Sequence, residues 1–181
     1  MTEYFHATNT RGLQPGHVFV AEHTDYQDPF VDALIKRAFS GGVTGQGRYV
    51  MYAREEKDHD PCREIELAFE LVRRMGFPDA PSRWACVYAC ESIEGARAFT
   101  GDFGWGEREI WRVASEHVVK VDAGWLMFHP RVMRMFNWAA RYWSGEANPF
   151  KPPRWEVLLQ PPVTLIERVE GDLSAAPPPA R

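Results

Sequence analysis

Apolar and polar positions change their period several times along the chain, and each change marks an element. Tyr4-Phe5-His6 is a short aromatic run, and His17 to Ala21 (HVFVA) alternates as a half-buried strand does. Between them Gly12-Leu13-Gln14-Pro15-Gly16 reads as a turn. Asp28-Pro29 starts a helix with Val31, Leu34, Ile35 and Phe39 at helical spacing, and Gly41-Gly42 ends it. From Ser40 to Asp58 there are four glycines and no sustained period. That predicts a long irregular segment, either a functional loop or a disordered one.

Asp60-Pro61 supplies an N-cap and a proline at the first helical position, and Glu64 and Glu66 fall where the helix dipole favours negative charge. Ile65, Phe69, Val72 and Met75 are the predicted buried stripe, and Gly76 and Pro78 stop the helix. Trp84 to Cys90 (WACVYAC) reads as a buried strand, and Ser92 caps a short helix carrying Ile93, Ala96, Ala98 and Phe99. Strands are expected at Glu109–Ala114 and His117–Val121. A helix is expected from Pro130 to Trp143, burying Val132, Met135, Phe136, Ala139 and Tyr142. Trp155–Leu159 (WEVLL), the turn Gln160-Pro161-Pro162 and Val163–Val169 resemble a closing hairpin. Strands separated by irregular helices, without a regular βαβ alternation, predict an α+β fold. Residues 1–171 form one expected domain, and the Pro/Ala-rich segment 172–181 is expected to be disordered.

At 181 residues the chain is long enough for one real core. Seven tryptophans are expected mainly to fill it. Three cysteines without C-x-x-C spacing, and an opening MTEYFHATNT with neither basic leader nor apolar stretch, make a reducing cytoplasm the expected location. No run approaches the roughly 20 apolar residues of a bilayer span, so no membrane partner is expected. A formal net charge of −4 sets up no overall field attractive to nucleic acid.

The common catalytic signatures G-x-S-x-G, G-x-x-x-x-G-K-[ST], H-E-x-x-H and zinc-ligand spacings are absent from the sequence, and no metal is expected. Three short pieces carry the remaining chemistry. Tyr4-Phe5-His6-Ala7-Thr8 places a histidine at the end of an aromatic strand. Val87-Tyr88-Ala89-Cys90 is a strand leading into an alanine-bearing helix, and Glu156-Val157-Leu158-Leu159-Gln160-Pro161 opens a late apolar strand with a glutamate. Each has a structural alternative: His6 as a satisfied strand residue, Tyr88 as core packing, and Glu156 on an edge strand with its carboxylate in solvent.

In this order the pieces resemble the ADP-ribosyltransferase superfamily, in its His-Tyr-Glu class that includes diphtheria toxin and the poly(ADP-ribose) polymerases. A small uncharacterised bacterial branch is similar as well. The resemblance implies a split antiparallel β-sheet core with flanking helices. It also implies an enzyme that cleaves the nicotinamide–ribose bond of NAD and transfers ADP-ribose to an acceptor, whether protein, nucleic acid or small molecule. By that resemblance His6 binds the adenosine-ribose hydroxyls, the Ala7 backbone pairs with the nicotinamide amide beside Thr8, and Tyr88 stacks on the nicotinamide. Glu156 holds the nicotinamide-ribose 2′-hydroxyl and stabilises the developing cation, and Arg83 contacts the diphosphate. Ala7 stands where that class has glycine, placing a methyl group where nicotinamide approaches the backbone. Arg154 stands where arginine-modifying members carry Glu or Gln, which disfavours protein arginine as the acceptor and leaves a phosphate contact or a surface ion pair for Arg154. An NAD glycohydrolase, and a non-enzymatic module that keeps the fold, are the alternative readings.

Overall fold

The computed structural model describes residues 3–23, 25–52, 62–102 and 108–171, and its strands divide into two antiparallel sheets. Strands β1 (Tyr4–Thr8), β2 (Val18–Phe19), β4 (Glu109–Ala114) and β7 (Val163–Glu170) form a four-stranded sheet in the order β1-β4-β7-β2. Strands β3 (Val87–Ala89), β5 (Val118–Asp122) and β6 (Trp155–Leu159) form a three-stranded sheet in the order β3-β6-β5. The helices are α1 (Pro29–Ala38), α2 (Gly45–Tyr52), α3 (Cys62–Gly76), α4 (Ile93–Asp102) and α5 (Val132–Trp143). The fold is therefore α+β.

The sheets meet where Phe5 of β1 and Cys90, just past β3, exchange two backbone hydrogen bonds of 2.8 and 2.9 Å. Val87, Ala89, Val157 and Leu159 pack against Trp111, Val113, Val163 and Leu165 of the four-stranded sheet. The opposite face of the three-stranded sheet receives α3 and α5, with Phe69, Val72, Ala139, Tyr142 and Trp143 around Val121 and Leu158. Strand β6 is thus central in its sheet and covered on both faces, which explains its nearly unbroken apolar run.

Several sequence expectations change. The segment after Ser40 is not irregular throughout, because residues 45–52 form α2. A Cβ built on Gly47 would stand 1.9 Å from the Trp84 carbonyl oxygen, so this helix lies directly against the 3-10 turn Arg83–Ala85. Gly47, one of the two glycines that hide the helical period, is required by that approach. Only Val87–Ala89 of the predicted strand Trp84–Cys90 pairs as a strand, and only Val18–Phe19 of His17–Ala21.

The closing hairpin does not exist: β6 pairs with β3 and β5, while β7 pairs with β4 and β2. Gln160-Pro161-Pro162 carries the chain from one sheet to the other, and two consecutive prolines there have no N–H to give to a ladder. In α1 the Asp28 side chain accepts from Phe30 N and Val31 N, as an N-cap should, yet Phe30 and Leu34 are exposed and no residue of the helix is fully buried. Along α3 Phe69 and Val72 are buried, but Met75 is exposed and its place in the stripe goes to Ala68, Glu66 and Glu70. In α5 Met135, Ala139 and Tyr142 are buried while Val132 is exposed. Asp60-Pro61 and 172–181 lie outside the described residues.

Candidate functional site

A cavity of about 490 Å³ opens beside the junction of the two sheets, within the range of small-molecule sites. Strand β1 contributes His6, Ala7 and Thr8 to its wall, β3 contributes Tyr88, the start of α2 contributes Gly45 and Gln46, and α4 contributes Ala96 and Phe99. Four of the residues predicted from sequence, His6, Ala7, Thr8 and Tyr88, therefore share one hollow.

His6 is half-buried, and its Nδ1 lies 2.7 Å from the Tyr88 carbonyl oxygen. A carbonyl only accepts, so Nδ1 carries the hydrogen and Nε2 keeps its lone pair. Burial, offset in part by that carbonyl and reinforced by Arg108, holds the imidazole below its ordinary pKa of 6.5. At neutral pH His6 is an uncharged acceptor, suited to a hydroxyl. The Phe19 ring meets it edge-on at 5.3 Å.

Tyr88 is fastened from behind. Its hydroxyl donates to the Arg83 carbonyl at 2.9 Å, and the Arg83 guanidinium lies 4.7 Å from its ring centroid. Burial raises the phenol well above its usual pKa, so the hydroxyl stays protonated as that bond requires. One ring face is thus occupied by a cation within the protein.

Arg83 and Glu156 do not line the cavity. They belong to a buried cluster behind it. The Arg83 Nε and Nη2 donate to Glu66 of α3 at 2.9–3.0 Å, and Nη1 donates to Glu156 and to the Tyr142 hydroxyl. Tyr142 of α5 in turn donates to Glu156 Oε1. Burial would lower the Arg83 pKa, but Glu156 and Glu66 outweigh it, and the guanidinium is held well above its usual value. Glu156 is 0% exposed on a central strand, which excludes the solvent-facing edge position. Among the described residues its Oε2 has no hydrogen-bond partner. Because Val157 pairs with Ala89, Glu156 sits beside Cys90, at the back of the cavity wall.

Arg83 is committed to these carboxylates, so it does not reach the cavity to meet a diphosphate as expected. Arg154 is set apart as well. It lines a second hollow with Ser92 and Trp155, and its backbone N–H donates to Asp122 at 2.8 Å. Cys86 and Cys90 line the main cavity, but burial pushes their thiols up to about 12 and about 11, so neither is a thiolate at neutral pH.

Sequence reasoning missed Glu66, Tyr142 and Arg108. Glu66 was read as a first-turn charge, although it lies three residues before Phe69 and so shares the buried face. Arg108 reaches the cavity through strand pairing, since Glu109 lies opposite Thr8. Register of that kind leaves no trace in local pattern. Among the described residues no group of three or more His, Cys, Asp or Glu could hold a metal ion, and no helix is long and apolar enough to cross a membrane.

Residues 43–171 match the family model described as "Protein of unknown function (DUF2441)". No curated protein matches the chain.

Proposed function

The chain belongs to the DUF2441 family, and from the geometry of its cavity we propose that it is an NAD-dependent ADP-ribosyltransferase built on the split antiparallel sheet of that superfamily. The observation that carries the reading is the direct bond from His6 to the Tyr88 backbone in the wall of one cavity, with the Glu156 carboxylate immediately behind. In this reading Nε2 of the neutral His6 accepts from an adenosine-ribose hydroxyl. The free face of Tyr88 packs on nicotinamide, and the backbone at Ala7 meets the carboxamide. The C1′–N bond breaks with its electron pair leaving on nicotinamide, which becomes neutral, and positive charge develops on the ribose. Glu156, buried behind the Tyr88 wall with its Oε2 unbonded among the described residues, supplies a fixed negative charge behind that ribose. The acceptor's oxygen or nitrogen then bonds to C1′ and loses its proton. We place this chemistry in the cytoplasm.

A second reading, a module that binds a nucleotide without cleaving it, is favoured by the complete burial of Glu156 against Arg83 and Tyr142. Nicotinamide release from NAD, measured for native protein and Glu156→Gln with a cell extract as the source of acceptors, separates the two. Release by the native protein that is lost in the variant supports the transferase. Equal release by both removes Glu156 from the reaction, and saturable NAD binding without release selects the binding module.

A further inference from the structure

One corner of the molecule, outside the cavity wall, carries cations and apolar side chains together. It is built from the segment after β5, the start of α5 and the loop between α5 and β6. Phe150 is 85% exposed and Met133 75%, and Phe128 and Val132 are exposed as well. Lys151 Nζ lies 3.6 Å from Met127 Sδ, which sets the Phe150 loop beside Phe128. That loop is held in place: buried Asp122 accepts the N–H groups of Gly124, Asn148 and Arg154 at 2.7–2.8 Å. Buried Asn148 in turn donates to the Gly124 carbonyl and accepts from the Phe150 N–H. Pro149 and Pro152 restrict the backbone further, so Phe150 is presented to solvent in a fixed place.

The charge on this corner has one sign. Arg131, Arg134 and Lys151 are exposed, and none of them is in an ion pair among the described residues. Residues 123–145 and 147–155 contain no Asp or Glu, on a chain of net charge −4. Glu146, between those stretches, is taken by Arg141 at 2.6 Å. His129 adds a more specific feature. Its Nδ1 accepts from the Arg131 N–H at 3.0 Å, so Nε2 carries the hydrogen of the neutral ring. Nε2 lies 3.3 Å from Arg134 Nη1, and a guanidinium only donates. Two donors facing each other at that distance are satisfied by one anionic oxygen placed between them.

We propose that this corner docks on an anionic lipid bilayer, with Arg131, Arg134 and Lys151 on the headgroup oxygens and Phe150 and Met133 in the boundary of the acyl layer. Nucleic acid offers similar oxygens but no apolar layer to cover the aliphatic Val132 and Met133. The inference revises the expectation of no membrane partner, which rested on the lack of a spanning segment, because a surface contact needs none. It is independent of what the cavity binds.

The test is sedimentation of the full chain with phosphatidylcholine vesicles, with and without phosphatidylserine, beside anisotropy titration of a labelled oligothymidylate. Native protein is expected to sediment with the phosphatidylserine vesicles, less as salt rises, and to stay in solution with phosphatidylcholine alone. Arg134→Gln is expected to weaken vesicle binding about fivefold, the effect of about 1 kcal/mol per cation at an anionic surface. Phe150→Ser combined with Met133→Ser removes no charge and is expected to weaken it about tenfold or more. All three positions are exposed, and an unchanged unfolding midpoint shows that each variant is folded. The proposal is overturned by no sedimentation with phosphatidylserine vesicles, by equal sedimentation with both vesicle types, or by vesicle binding indifferent to the loss of Phe150 and Met133. Oligothymidylate binding that Arg134→Gln weakens, with no protein on the vesicles, would overturn it as well and assign the surface to nucleic acid.

Discussion

Two carboxylates share one guanidinium behind Tyr88, and they are not equivalent. Glu66 takes two nitrogens of Arg83, whereas among the described residues Glu156 takes one and keeps Oε2 unbonded. Glu66→Ala is expected to lower stability by about 3 kcal/mol, the lower end for breaking a buried pair because Glu156 remains as a partner. Glu156→Gln keeps an acceptor for Arg83 and Tyr142 and is expected to stay within about 1 kcal/mol of native. Urea unfolding of both variants checks the order, and a larger loss for Glu156→Gln would contradict it.

His6 makes a separate prediction. The unfolded chain protonates it near 6.5, the folded protein only at lower pH. Between those values the unfolded state holds more protons, so stability falls as pH drops below 6.5 and levels off below the folded value. His6→Gln should remove that fall from the variant's curve, so the difference between native and variant stability declines as pH drops below 6.5. His6 and Tyr88 were legible in the sequence because each lies on a strand with a recognisable flank. Glu66 was not, since a glutamate near the start of a helix has an ordinary electrostatic reason to be there.

At the scale of elements, the helices with a strong apolar stripe were legible and the pairings were not. Phe69 of α3, fully buried, meets the Tyr142 ring edge-on at 5.3 Å, and the Trp143 indole donates to its carbonyl at 2.8 Å. Phe69→Ala is therefore expected to cost about 3–5 kcal/mol, read from the denaturation midpoint. Helix α2 escaped notice because two glycines weaken its pattern, one of which, Gly47, serves contact with the Trp84 backbone rather than helix propensity. Gly47→Ala should displace that helix and with it Gln46 in the cavity wall, so hydrogen exchange is expected to quicken in α2 while α3 and α5 stay protected. Strands β6 and β7 read as a hairpin because short local separation favours pairing. The prolines between them and the partners available on β3, β5, β4 and β2 redirect both.

Across the whole molecule, the candidate site depends on the join between the sheets. The Phe5–Cys90 bridge brings His6 of one sheet to Tyr88 of the other, and β6 carries Glu156 to the rear of the same wall. The α+β class was legible from the spacing of strands and helices. The division into two sheets was not legible in the local pattern, because it is set by long-range register. The most direct test of the account is equilibrium binding of NAD, followed by calorimetry and by the unfolding midpoint. The account predicts one saturable site per chain that is lost in His6→Ala, with about 2.7 kcal/mol of added stability at a hundredfold excess of NAD over its Kd. No heat of binding and no shift in midpoint at millimolar NAD would contradict it.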